Sequence, residues 1–129
     1  MSTSEAVTDG IRVEVRAEYV PERSEPEHMR WLFAYHIRIS NESNRSVQLV
    51  RRHWIITDAH GHVEHVEGPG VIGQQPVLEP GGTHEYTSFC PLPTSFGTMA
   101  GSYQMRDDDG NLFDVVIASF SLNEPFTLN

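Results

Sequence analysis

The chain has 129 residues, eighteen of them acidic against nine basic, and all nine basic residues are arginine, for a formal charge of −9. Its length suits one domain with a self-sufficient core, and the acidic balance argues against general nucleic-acid binding because a phosphate backbone is repelled at long range. The lone Cys90 excludes an internal disulfide and a cysteine-rich zinc site.

Residues 1–9 are polar and acidic and read as a flexible N-terminal segment. They lack the basic start and apolar centre of a signal peptide. No apolar run approaches the ~20 residues that span a bilayer, so no membrane association is expected and a cytoplasmic location follows. From Ile11, apolar residues at 11, 13, 15, 17 and 19 alternate with charged ones at 12, 14, 16 and 18, the period of a strand with one wet face. Val20 to Met29 is charged, carries Pro21 and Pro26, and reads as a loop. Trp31, Phe33, Tyr35, Ile37 and Ile39 then mark a second strand, and Asn41 to Arg45 has turn composition.

A third strand runs from about Ser46 to Thr57 with a slip of phase. Val47 and Leu49 begin on one face, whereas Trp54 and Ile56 keep register with Val50. A β-bulge near Leu49–Val50 accounts for the switch, and it leaves open whether Arg51 or Arg52 faces outward. Asp58-Ala59-His60-Gly61 has the composition of a tight hairpin, followed by a short polar edge strand to about Glu67. Gly68 to Pro76 reads as a glycine-rich loop. Further strands are predicted over Thr83–Cys90, from Met99 to Arg106, and over Leu112–Leu122, the last with Val116, Ala118, Phe120 and Leu122 on one face. No stretch carries helical periodicity. About seven strands with frequent turns predict an all-β fold, an antiparallel immunoglobulin-like or fibronectin type III-like β-sandwich, with residues 10–126 as its single domain.

Gly68-Pro69-Gly70-Val71-Ile72-Gly73 matches GxGxxG. The dinucleotide fingerprint also needs a following helix, which Pro76 opposes. Two uses of the glycines remain open. Their amides can form an anion-binding nest, with Arg51 or Arg52 adding charge for a small phosphate-containing ligand, or they serve only unusual backbone angles. The apolar Val71, Ile72 and Pro76 are candidate anchors for a protein partner. His53, His60, His62 and His65 cluster with Asp58 and Glu64. On an extended strand His60, His62 and Glu64 share a face and offer a divalent-metal site, although the spacing matches no standard zinc pattern. Asp107-Asp108-Asp109 suits a cation or simply a turn. No nucleophile stands beside a base. Cys90 and His84 would lie about 20 Å apart along one strand, so no catalytic residue is assigned and no cofactor is implied.

Taken together, several segments resemble the ApaG family: Arg52-His53-Trp54-Ile55-Ile56-Thr57-Asp58, the Gly68–Gly73 loop, Gln75-Pro76-Val77-Leu78, Pro80-Gly81, Tyr86-Thr87-Ser88, Gly97-Thr98-Met99 and Gly101-Ser102-Tyr103-Gln104-Met105. The resemblance spans about residues 10 to 126. It implies a fibronectin type III-like or immunoglobulin-like sandwich. It also implies a bacterial gene neighbourhood with a diadenosine tetraphosphate hydrolase and an rRNA adenine dimethyltransferase. Links to cobalt tolerance and magnesium efflux, under the alternative name CorD, come with it, as do protein-contact roles in related domains of eukaryotic F-box and polymerase-interacting proteins. No catalytic residue carries over. The family's glycine motif falls on Gly68, Gly70 and Gly73, with pyrophosphate as its implied ligand, while His60, His62 and His65 lie outside the family pattern. The reading is a non-enzymatic binding module, monomer or weak dimer, for an unknown protein partner. A small anion or divalent metal is the alternative ligand.

Overall fold

The alternating segments become two facing antiparallel sheets in the computed structural model, which describes residues 1–125. The last residue of the expected domain, Phe126, lies outside the described residues. The first sheet has the order β1 (Ser2–Thr8), β2 (Ile11–Tyr19), β3 (Trp31–Asn41) and β7 (Thr83–Leu92). The second has the order β5 (Val63–Pro69), β4 (Val47–Asp58), β8 (Phe96–Asp107) and β9 (Leu112–Asn123), with the two-residue β6 (Val77–Leu78) pairing β4. This is the expected sandwich, with nine strands among the described residues where about seven were predicted.

The core is the set of inward residues that the period-two pattern marks. Ile11, Val13, Val15 and Ala17 of β2 and Phe33, Tyr35, Ile37 and Ile39 of β3 are buried against Trp54, Met99, Tyr103, Met105, Ile117 and Phe120 of the other sheet. At its centre Trp54 meets Tyr35 and Phe120 edge-on, with centroids 5.2 and 5.9 Å away. Such aromatic pairs add packing and quadrupole attraction to plain burial.

Three local findings refine the sequence reading. The register of β4 against β8 shifts between Leu49 and Arg51, which is the bulge the phase slip predicted. A second shift, between Met99 and Gly101 of β8 against β9, was not foreseen. It turns Val115 and Ile117 inward ahead of Phe120 and Leu122 and leaves Val116 exposed, which corrects the single-face assignment of the last strand. The segment between β2 and β3 forms two 3-10 turns, Pro21–Arg23 and Pro26–His28. The Ser24 hydroxyl pins it, donating to the Val20 carbonyl and accepting from the Leu32 amide.

The N-terminal segment expected to be flexible is a strand, paired along its length with β2 from Ser2↔Ala17 to Thr8↔Ile11. Its inward residues are small. Ser2 and Ser4 donate their hydroxyls to the carbonyls of Ser121 and Ala118, and Thr8 accepts from the Val116 amide. The anchorage is polar and reaches the far end of the chain, so no local apolar pattern announces it.

Candidate functional site

The sandwich has two lateral sides. On one, β1 lies against β9 and the hydroxyl bonds just described close it. On the other, the edge strands β5 and β7 stand apart, and a cleft of about 350 Å³ opens between the sheets. Tyr35, Trp54, Ile56, Val66 and Met99 give it an apolar lining, and Arg52, Glu64 and Ser88 supply its polar groups. A larger depression of about 490 Å³ lies on the outer face of the first sheet. It is a shallow cross-strand surface whose His36 is already bonded to Thr87 and Glu85.

The bulge at Val50 decides the fate of the two arginines. It turns Arg52 inward to the cleft and leaves Arg51 exposed on the outer face. Arg52 Nη1 donates to the carbonyls of Pro69 and Gly70, each at 3.0 Å. Gly68 makes room for this: a Cβ there would lie 3.1 Å from both terminal guanidinium nitrogens. Gly70 has φ +62°, and a Cβ would meet the Gln74 carbonyl oxygen at 2.3 Å. Only glycine fits such a place. Three loop amides are committed, Gly70 to the Val50 carbonyl, Val71 to that of Gln74, and Gln74 to that of Val71. The structure therefore brings Gly68 and Gly70 to Arg52. It does not bring Gly73, at φ +73° with open space around it, or Arg51 to the same point.

Of the apolar loop residues, Ile72 is exposed and Pro76 half-buried, but Val71 is 1% exposed and belongs to the core. The expectation of Val71 as a surface anchor is corrected, because the Val71–Gln74 bridge turns its side chain inward. His60 and His62 sit exposed on the β4–β5 hairpin. The Asp58 carboxylate holds that turn by accepting the amides of His60 and His62 at 2.9 and 3.0 Å. Glu64 lines the cleft instead. Among the described residues, His60, His62 and Glu64 do not form a group whose ligand atoms all lie within 4.8 Å, whereas Asp107, Asp108 and Asp109 do. Asp107 is nevertheless occupied: it accepts from the amides of Asp109 and Asn111, each at 2.9 Å, and from Arg45 at 2.7 Å. The Asn111 amide foremost, with Asp109, the Asn111 side chain and Arg45 adding, holds its carboxyl below the usual range. It closes the β8–β9 turn.

Burial pushes the Cys90 thiol up to about 12, so it is not a thiolate at neutral pH and is a poor nucleophile there. Burial likewise raises Tyr35, Tyr86 and Tyr103. Tyr86 and Tyr103 share a hydroxyl–hydroxyl bond of 2.5 Å. These groups hold protons and do not take them up.

The profile of the ApaG domain matches residues 21–107. The chain belongs to the ApaG domain family. It is 56% identical over 126 residues to the protein ApaG of Anaeromyxobacter dehalogenans, covering 98% of this chain and 99% of that one. It is 52% identical over 118 residues to the protein ApaG of Paramagnetospirillum magneticum, covering 92% and 91%. The crystal structure of the putative ApaA protein from Bordetella pertussis superposes with a TM-score of 0.88 at 48% identity, covering 95% of this chain and all of that one. The C-terminal domain of wzt, at 9% identity and a TM-score of 0.56, shares the fold alone. The names of these ApaG proteins denote no reaction.

Sequence reasoning passed over the cleft lining, namely Tyr35, Trp54, Val66 and Ser88. One signal was present. The inward positions of β7 read His84, Tyr86 and Ser88, all partly buried, and polar residues at inward positions of an edge strand mark where the two sheets part.

Proposed function

We propose that this ApaG domain is a non-catalytic binding module that receives an extended segment of a partner protein on its open side. The observation that carries the reading is the asymmetry of the two sides: one is bridged by side-chain bonds, and the other leaves a cleft with an apolar lining beside a ten-residue edge strand. Among the described residues β7 pairs with β3 alone, which leaves one row of its backbone groups for an added strand. A side chain of the added segment would enter between Trp54, Ile56 and Val66, with Arg52 and Glu64 at the rim. The lone cysteine and the absence, among the described residues, of any helix long and apolar enough to cross a membrane are compatible with a cytoplasmic setting. The family-implied links to cobalt tolerance and magnesium efflux would then act through the bound partner.

The test is partner capture on immobilised full-length protein, compared across two variants. Ser88→Trp fills the cleft and is expected to weaken capture at least tenfold, while Ile72→Asp leaves it unchanged. The reverse pattern would move the site to the glycine loop, and indifference to both would end the proposal.

A second reading, a small phosphate-containing ligand, is favoured by the Arg52 guanidinium set against Gly68. It is weakened by the loop amides already committed. Calorimetric titration with ATP and diadenosine tetraphosphate decides it, with flat isotherms at millimolar ligand excluding it.

A further inference from the structure

We propose that His53 and His65 form a two-imidazole site for a first-row transition-metal ion on the outer face of the second sheet. The two residues stand on adjacent antiparallel strands. His53 of β4 registers with Glu67, and His65 of β5 registers with Ile55, so the histidines are diagonal neighbours on one face. His53 Nε2 lies 2.9 Å from His65 Nδ1, and the ring centroids are 5.1 Å apart. One proton at most can sit between the two facing nitrogens. When it leaves, two lone pairs are held in the same small volume.

A bound ion would take the place of the hydrogen bond between the two rings. Two imidazole nitrogens, each about 2.0–2.1 Å from a common ion, stand about 2.9 Å apart at a right angle and about 3.3 Å apart at a tetrahedral angle. The rings now point at each other along the hydrogen bond, so each swings by roughly 35–45° to aim its lone pair at the shared ion. Imidazole suits copper, nickel and zinc, and the intrinsic order of affinities places Cu(II) first. The β4–β5 ladder fixes the backbone spacing, so side-chain rotation is the main freedom lost on binding.

A depression of about 200 Å³ adjoins His53, and in its lining Glu67 and Asp114 are balanced by Arg51 and Arg52, so the imidazole pair and not the surrounding charge carries the site. The remaining coordination positions face solvent and are open to water. His60 and His62 take no part, because they sit on the hairpin turn beyond this pair.

The experiment is titration of the full-length, isotopically labelled chain with CuCl2, followed by amide broadening and by the nitrogen splitting in the electron paramagnetic resonance spectrum. Expected are broadening centred on residues 53 and 65, a two-nitrogen pattern, and at least tenfold weaker binding in each of His53→Gln and His65→Gln. The paired change His60→Gln, His62→Gln should leave affinity within about twofold. Amide spectra of the metal-free variants establish that they remain folded. No binding at millimolar Cu(II), affinity that survives either single change, or broadening centred on residues 25–28 or 60–62 would overturn the site.

Discussion

Along β1 and β9 the two sheets meet through Ser2, Ser4 and Thr8, whereas along β5 and β7 they part around Arg52 and Trp54. Small residues let β1 and β9 approach closely enough for side-chain hydroxyls to reach the opposite backbone. On the other side the large Trp54, Tyr35 and Met99, together with the Arg52 guanidinium, prop the sheets apart. The contrast shows how one sandwich can be sealed and receptive at once. A side closed by short polar bonds leaves nothing to add, while a side held open by large side chains leaves apolar surface and unpaired strand edges.

Four measurements break or sharpen that contrast. Phe120, 3% exposed, packs against Trp54 from the closed half, and Phe120→Ala is expected to cost about 3–5 kcal/mol in urea unfolding. Ile56→Ala, at a half-buried position of the cleft, should cost only about 1–2 kcal/mol, and equal losses would mean that the open side is packed as firmly as the core. Second, Cys90 lines the cleft yet is 4% exposed. Its alkylation at pH 8 should run about a thousandfold or more slower than that of a free thiol, because so little thiolate is present. Rapid labelling would show that the open side parts well beyond the cleft described. Third, Gly73→Ala should cost about 1–2 kcal/mol for its left-handed backbone. Gly70→Ala should cost more, because its Cβ also collides with the Gln74 carbonyl. If the two cost the same, the glycines serve backbone angle alone. The smallest effect belongs to Ser4→Ala, which removes one hydroxyl bond from the closed side and should cost about 0.5–1.5 kcal/mol.

Much of the architecture was legible in the chain because alternation is a local signal. Ile11–Tyr19 and Trp31–Ile39 state their inward faces residue by residue, and the slip at Leu49–Val50 even located a bulge. The second bulge was not legible. Val116, Ala118, Phe120 and Leu122 form a regular series, and only pairing with β8 at Met99 and Gly101 shows that the series is broken. The candidate site was legible only in fragments. Gly68 and Arg52 were both singled out, but Tyr35 and Ser88 come from two strands of the other sheet, and they join Val66 only when the sheets face each other.

The sequence by itself determined that this chain folds as a two-layer β-sandwich, because the two-residue period of the strand sorts side chains between a wet and a dry face before any long-range contact is made. It also determined membership of the ApaG family through motifs carried along the chain. The tertiary structure alone decided that residues 2–8 are a strand, that Arg52 turns inward and Arg51 outward, that Val71 is core, and that one side of the sandwich stays open. Apart from the local turn at Val71, these depend on contacts between residues distant in sequence, whose partners no local pattern can name.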